Sequence, residues 1–354
     1  MRARAAVLHA AGDVRIEERD LAPLGPGEVL VKVMGCGICG SDAAEWSHGP
    51  VLAAPPVVLG HEFTGVVEAV GDGVSGLSVG ARVVSGAGVS CGSCSRCVEG
   101  RTNLCLSYHT VGFHRDGGLA GHAVVPASTL LDVSGSGLAF DTLAMAQPMA
   151  IAVHAVRRSG LRADQVAVVI GVGGIGGYLT VAASALGAHV VVTDLDPARL
   201  DLAKRLGAAA TFRSGEVSLV DFLAEHELRP DVIFEASGSR PGIESAFAAV
   251  PRGGTIVPVG IQREPFPATF ATWTFDEYAV IGSVAHVIAD DLPEAVRLLQ
   301  RDVDWSLMAP QVVSLDQLVE EGLIPLAEGR SRYNKLIVDP WAMTPRPADH
   351  TRLA

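Results

Sequence analysis

The sequence predicts an α/β protein in two parts, a β-rich, barrel-like unit followed by a doubly wound parallel sheet. Three observations carry this. Short β-like runs broken by glycine and proline fill the first 150 residues. Near Asp164 the rhythm changes to strand, glycine turn, helix, strand. The continuous apolar run at 166–170, Val-Ala-Val-Val-Ile, suits a central parallel strand buried on both faces.

The early strands are expected at 28–33, 65–70 and 81–84, bounded by Gly-Pro-Gly or Gly-Asp-Gly turns. After 166–170, further strands are expected at 189–193, 231–236, 254–259 and 278–281, with helices between them. The helix at 197–206 has Asp196 as its N-cap, Pro197 in its first position and Gly207 as its stop. A helix at 292–299 and a strand at 335–338 follow. The stretch 341–354 holds two prolines and little apolar pattern, and is expected to be loosely ordered.

Composition narrows the function. The 354 residues are 49% hydrophobic and 19% charged, the balance of a globular protein large enough for two cores. The formal net charge is −12 with no run of lysine or arginine, so nucleic acid and anionic membrane surfaces are not expected partners. No apolar run approaches the ~20 residues that span a bilayer, and the N-terminus does not read as a secretory signal. A cytoplasmic location is the expectation.

Gly171-Val-Gly173-Gly174-Ile175-Gly176 fits G-x-G-x-x-G, placed after a buried strand and before a helix at 177–186. Glycines there let the backbone approach a pyrophosphate, which the helix N-terminus then stabilises. Asp194 ends the next strand, 18 residues beyond Gly176. Its carboxylate can accept hydrogen bonds from a ribose 2′-hydroxyl and would repel a 2′-phosphate, so NAD is expected in preference to NADP. A capping role for Asp194 is the bland alternative, but Asp196 already fills that place.

All six cysteines lie in the first third: Cys36, Cys39, Cys91, Cys94, Cys97 and Cys105. The last four fall within fifteen residues, two to seven residues apart, and four thiolates suit a tetrahedral zinc that holds a loop and does no chemistry. Two disulfides are an alternative, as is an iron–sulfur cluster, although the proline that ends bacterial-type cluster runs is replaced by Leu106. Cys36 and Cys39 could be a redox pair. Against that, Cys39 leads into Gly40-Ser41-Asp42, and Gly60-His61-Glu62 follows further on.

Gly37-Ile-Cys39-Gly-Ser41-Asp42, Gly60-His61-Glu62-x-x-Gly65 with Gly71, the four-cysteine lobe and the glycine fingerprint occur here in one order. Together they resemble the zinc-containing medium-chain dehydrogenases, most nearly the 2,3-butanediol and sorbitol dehydrogenase branch, over nearly the whole chain. The resemblance implies a GroES-like catalytic domain at 1–150 with its structural-zinc lobe at about 88–108. A Rossmann NAD-binding domain at 151–285 and a return to the catalytic domain at 286–340 would follow, with the active site in the interdomain cleft.

Matched position by position, Cys39 and His61 would be catalytic zinc ligands and Glu62 a direct or intermittent third. Asp42 would orient His61, Ser41 would contact the reacting hydroxyl, and Cys36 would be a packed thiol. Arg199 would lie over the adenine, and Val259 would stand where relatives approach the nicotinamide. Trp46, Phe113 and His286 could line the pocket. Two zinc ions per chain, an alcohol or polyol substrate and a homodimer or homotetramer complete the expectation.

Two positions depart from the family pattern. Gln147 stands where the polyol branch usually has glutamate; it can offer a carbonyl oxygen to zinc or to its water, but no base. Ala44 stands where many relatives carry a histidine that relays the proton. Two rival readings are a zinc-free enone or quinone reductase, which would lack the Cys/His/Glu set, and a non-catalytic NAD-binding protein.

Overall fold

The structure, a computed structural model, describes residues 1–262 and 264–352. The chain forms two compact units, Met1–Ala150 with His286–Ala354, and Ile151–Ala285.

The first unit opens with the antiparallel hairpin β1 (Arg2–Ala10) and β2 (Asp13–Asp20). Then come β3 (Glu28–Gly37), α1 (Gly40–His48), β4 (Val57–Val58), β5 (Glu62–Val70) and β6 (Arg82–Ser85). A lobe built on β7 (Gly88–Val89), α2 (Ser95–Val98) and β8 (His109–Thr110) follows. It leads to β9 (His122–Pro126), β10 (Leu130–Asp132), α3 (Phe140–Leu143) and α4 (Ala146–Ser159), which spans the boundary at Ala150.

In β3, Val29, Val31 and Val33 point into the core while the residues between them are half-buried. This alternation is the sequence signal for a strand with one solvated face. It stops at Gly35, after which Cys36 and Gly37 are buried as well. The strand therefore runs four residues past the expected end at 33, because its last part is covered on both faces. Likewise β5 begins at Glu62, three residues before the expected start at 65.

The second unit alternates strand and helix: β11 (Val166–Ile170), α5 (Gly176–Leu186), β12 (His189–Asp194), α6 (Pro197–Arg205), β13 (Ala210–Arg213) and α7 (Leu219–Glu225). β14 (Val232–Glu235), α8 (Arg240–Ala249), β15 (Thr255–Pro258), α9 (Phe270–Asp276) and β16 (Ala279–Val280) complete it. Its six strands are all parallel, in the order β13-β12-β11-β14-β15-β16. The winding reverses between β11 and β14, the switch point at whose strand ends such sheets bind ligands. Val168, Val169, Val191, Val192, Ile233 and Phe234 are fully buried, as the apolar runs required.

The chain returns to the first unit through α10 (Ile288–Leu299), β17 (Gln311–Val313), β18 (Ile337–Val338) and β19 (Arg346–Pro347). α10 starts four residues before the expected 292 and passes Pro293, with the Asp291 carboxylate accepting the Val287 N–H at 2.7 Å at its start. β18 lies antiparallel to β3, Ile337 opposite Gly37 and Val338 opposite Cys36. The large sheet thus runs β10-β6-β5-β3-β18-β17-β19, with β9 also paired to β3.

The expectation of a loosely ordered tail at 341–354 is corrected by the structure. The Trp341 indole N–H donates to the Val33 carbonyl at 2.7 Å, and Lys32 Nζ lies 4.9 Å above its ring. β19 pairs with β17, and the Arg346 guanidinium donates to both oxygens of buried Asp141 at 2.5 and 3.0 Å. His350 joins Thr142 Oγ1 at 3.0 Å and the Ala309 carbonyl at 2.7 Å. The tail is held by polar anchors and one aromatic ring, which leave no apolar periodicity to read. Leu353 and Ala354 lie outside the described residues. Among the described residues no helix is long and apolar enough to cross a membrane.

Candidate functional site

Two groups of metal-ligating side chains stand out. The first is the lobe: the ligand atoms of Cys91, Cys94, Cys97 and Cys105 all lie within 4.8 Å of one another. Cys94 Sγ is 3.6 Å from Cys97 Sγ and 4.0 Å from Cys105 Sγ, and Cys91 Sγ is 4.0 Å from Cys97 Sγ. Four donors each ~2.3 Å from one centre would sit about 3.8 Å apart at the corners of a tetrahedron. A disulfide would need roughly 2.05 Å, and all six cysteines are free.

Backbone N–H groups also point at the sulfurs, from Cys91 and Ser107 to Cys105 Sγ at 3.2 and 3.3 Å, and from Cys94 to Cys91 Sγ at 3.3 Å. Donation from the Ser93 and Cys94 backbones brings the Cys91 thiol down to about 6, while burial pushes Cys97 up to about 11. The donor set fits zinc.

The second group is Cys39, His61 and Glu62, whose ligand atoms also lie within 4.8 Å of one another. Strand pairing explains how residues 22 apart meet. β3 and β5 are antiparallel with Gly37 opposite Glu62, so Cys39 just beyond one strand faces His61 just before the other. Asp42, fully buried in the first turn of α1, accepts the Cys39 N–H through Oδ2 at 2.9 Å. Its Oδ1 lies 3.5 Å from His61 Nδ1, so the imidazole is held from its Nδ1 side. Burial draws the His61 pKa down, but Asp42 and Cys39 outweigh it and the net shift is well upward. The Phe113 ring closes over His61, centroids 5.1 Å apart.

One member of this group escaped the sequence reading. Lys335 donates from Nζ to Glu62 Oε2 at 2.5 Å and to the Ile38 carbonyl at 3.1 Å. Both side chains of the pair are almost wholly buried, at 3% and 1% exposure, so each ion depends on the other. Burial lowers the Lys335 pKa, yet Glu62 and Cys39 carry it above its ordinary value. The carboxylate reaches the ammonium by passing over Gly37, where any Cβ would overlap Glu62 Oε2 and crowd Lys335 Cδ at 3.2 Å. Gly37 is therefore required by the ion pair. A lysine opening the apolar run 335–338 was the available signal, but only the β18–β3 register tells which acid it meets.

Ser41 sits half-buried in the first turn of α1, and Gln147 is buried at the start of α4. Cys36 is fully buried, and burial pushes its thiol pKa well up, as suits a packed side chain. Trp46 packs against the same core, and His286 is buried with its ring against Gly86. Ala44 is half-buried on α1.

In the second unit, the fingerprint glycines divide by cause. Gly171 has φ +91° and its Cβ would lie 3.0 Å from Ser237; at Gly176 a Cβ would overlap the Gly171 carbonyl. Those two are required by packing alone. A Cβ at Gly173 would meet nothing within 4 Å, which leaves that backbone open to a ligand's approach. Gly174 and Ile175 complete the turn into α5. Asp194 ends β12 with Oδ2 accepting the Val172 N–H at 2.7 Å and Oδ1 accepting the Asp196 N–H at 3.0 Å. Each carboxylate oxygen keeps a further lone pair. Arg199 is half-buried on α6, and Val259 half-buried just after β15.

Comparison with known proteins agrees with this geometry. Residues 25–135 match the alcohol dehydrogenase GroES-like domain and residues 174–301 the zinc-binding dehydrogenase family. A sorbitol dehydrogenase of Bacillus subtilis (strain 168) is 30% identical over 322 residues, 89% of this chain and 91% of that protein. The 2R,3R-butanediol dehydrogenase structure from Bacillus subtilis superposes with a TM-score of 0.87 at 30% identity, covering 96% of this chain and 99% of that one. A zinc-binding dehydrogenase from Sinorhizobium meliloti 1021, solved bound to NADP, gives a TM-score of 0.88 at 28% identity over 96% of this chain and 100% of that one. This chain therefore belongs to the zinc-containing medium-chain alcohol dehydrogenase family, as a zinc-binding, NAD(P)-linked dehydrogenase of its polyol and diol branch.

Proposed function

We propose that this chain oxidises a secondary alcohol, vicinal diol or polyol to the ketone or aldehyde with NAD, using the Cys39–His61–Glu62 group as its catalytic zinc site. The observation that carries the reading is that group itself: three donors within 4.8 Å, with Asp42 behind the imidazole. Zinc, when bound, supplies the Lewis acid, and the nicotinamide, when bound, supplies the hydride acceptor.

Cys39 and His61 hold the metal. Asp42 keeps His61 Nδ1 turned inward, so that Nε2 is the atom offered. Glu62, paired with Lys335 here, would be the direct or intermittent third ligand, and Gln147 would offer its side-chain carbonyl oxygen to the metal or to its water. Ser41 Oγ would accept the substrate hydroxyl's hydrogen bond and take its proton while giving up its own to water, since Ala44 carries no group to relay it. The four cysteines of the lobe hold the second zinc.

Asp194 supports NAD over NADP, because its carboxylate stands at the end of β12 where a 2′-hydroxyl can donate to it. Gly171, Gly173, Gly174, Ile175 and Gly176 cradle the pyrophosphate, Arg199 stands over the adenine and Val259 borders the nicotinamide. The six free thiols are in keeping with a reducing, cytoplasmic setting. A homodimer or homotetramer is the assembly we favour by family likeness.

The test is NADH absorbance with zinc-loaded enzyme against vicinal diols, secondary alcohols, sugar alcohols and aldoses, with NAD and then NADP. Turnover of one substrate class, faster with NAD, is expected. Preference for NADP would overturn the Asp194 argument. Silence across the panel in a chain that holds two zinc ions and binds NADH would overturn the substrate assignment.

A further inference from the structure

We propose that Glu235 is a positioning residue for the nicotinamide half of the cofactor, a carboxylate hub that ties together the backbone segments at the switch point of the parallel sheet. The inference rests on the dinucleotide reading above but uses different atoms.

Glu235 is the last residue of β14 and lies opposite Ile170, the last residue of β11, directly before the fingerprint turn. Its side chain is fully buried, at the end of a strand whose other residues are Val, Ile and Phe. A buried carboxylate in that place needs donors, and it has them from two loops. Oε1 accepts the Ser237 N–H at 2.9 Å and also the Ser237 hydroxyl. Oε2 accepts the Gly238 N–H at 3.3 Å and Gln262 Nε2 at 2.8 Å. The Glu235 main-chain carbonyl accepts the N–H groups of both Val259 and Gly260 at 2.8 Å.

The surrounding glycines belong to the same hub. A Cβ at Gly260 would overlap Gly238 N and stand 3.0 Å from Glu235 Oε2, while one at Gly242 would stand 2.6 Å from Oε1. Ser237 in turn is the residue that a Cβ at Gly171 would touch at 3.0 Å. Glu235 thus holds the 237–238 turn, which packs against the fingerprint glycine, and Gln262 through its carboxylate, and Val259 and Gly260 through its main-chain carbonyl. Those are the strand ends beside the switch point, where a dinucleotide crosses such a sheet. Asp194, by contrast, is on β12, at the ribose side of the fingerprint turn.

The division predicts a selective defect. Glu235→Gln keeps the size of the side chain but turns one acceptor into a donor facing N–H groups. In the full-length, zinc-loaded protein, NADH affinity measured by fluorescence should fall about ten-fold, the scale of one lost charge-assisted hydrogen bond. ADP-ribose affinity measured by calorimetry should stay within about two-fold, because that ligand lacks the nicotinamide.

Ser237→Ala, which removes only the hydroxyl donor, should move NADH alone in the same direction by a smaller factor, and serves if the glutamine variant does not fold. Parallel losses of both ligands would overturn the proposal in favour of a purely structural role, and unchanged NADH binding would overturn it outright. A wild type that binds neither ligand would instead overturn the dinucleotide reading itself.

Discussion

The two cysteine-bearing clusters of this protein are built in opposite ways. The lobe draws four like ligands from fifteen consecutive residues, and Cys91, the most exposed of them, reaches the surface. The other site draws a thiol, an imidazole and a carboxylate from two strand ends, backs them with Asp42 and Lys335, and buries nearly all of it. Four thiolates close a tetrahedron and leave no place for a substrate; three mixed donors leave one open. The lobe's geometry is a property of local chain, whereas the second site exists only because β3, β5 and the approach to β18 lie side by side.

Substitutions should separate the clusters, beginning with the largest effect. Cys39→Ser or His61→Ala should lower kcat/KM by at least about 1,000-fold, since several kcal/mol of transition-state stabilisation depend on the metal. Zinc analysis should then find the lobe's metal alone, with NADH affinity preserved. Normal turnover in either variant would remove the distinction between the sites.

Lys335→Met comes next. It leaves the Glu62 carboxylate buried without its cation, a loss of about 3–5 kcal/mol in thermal unfolding of the metal-free protein. Zinc loading should recover much of that loss, because the freed carboxylate gains a new cation. Lys335→Arg should fall between wild type and methionine. Equal losses with and without zinc would show that Glu62 does not exchange partners.

Cys94→Ser should act more mildly and elsewhere. It removes one corner of the lobe, so limited proteolysis should cut within residues 88–108 while Tm falls by about 3 °C. Turnover per folded molecule should change little. The smallest effect is expected from Gln147→Glu, which adds negative charge near the reacting hydroxyl. An anion forming there becomes less favourable, so the apparent pKa of alcohol oxidation should rise, by about one pH unit. An identical pH–rate profile would mean that residue 147 does not sense the reaction.

Much of the site was legible before folding because its signals are local. The glycine fingerprint, the capping pair Asp196 and Pro197, and the four-cysteine spacing each sit within one turn or loop. The missed residues are those whose meaning depends on a distant strand. Lys335 read as the front of an apolar strand, and Glu235 as one residue within another at 231–236, because nothing adjacent shows what they touch. Asp141 and Arg346 are separated by 205 residues yet bond through two hydrogen bonds, and the tail they hold was expected to be loose.

The sequence alone determined the parallel α/β half and the four-cysteine spacing of the lobe, since steric rules for glycine, proline and strand periodicity act over a few residues. The candidate zinc ligands came from the resemblance of its motifs. Tertiary structure decided which acid Lys335 neutralises, why Gly37 and Gly260 lack side chains, and how Trp341, Arg346 and His350 anchor the stretch that carries them. These follow from strand register. A shift of one residue between β3 and β18 would turn every side chain to the opposite face, and no short stretch of chain encodes that choice.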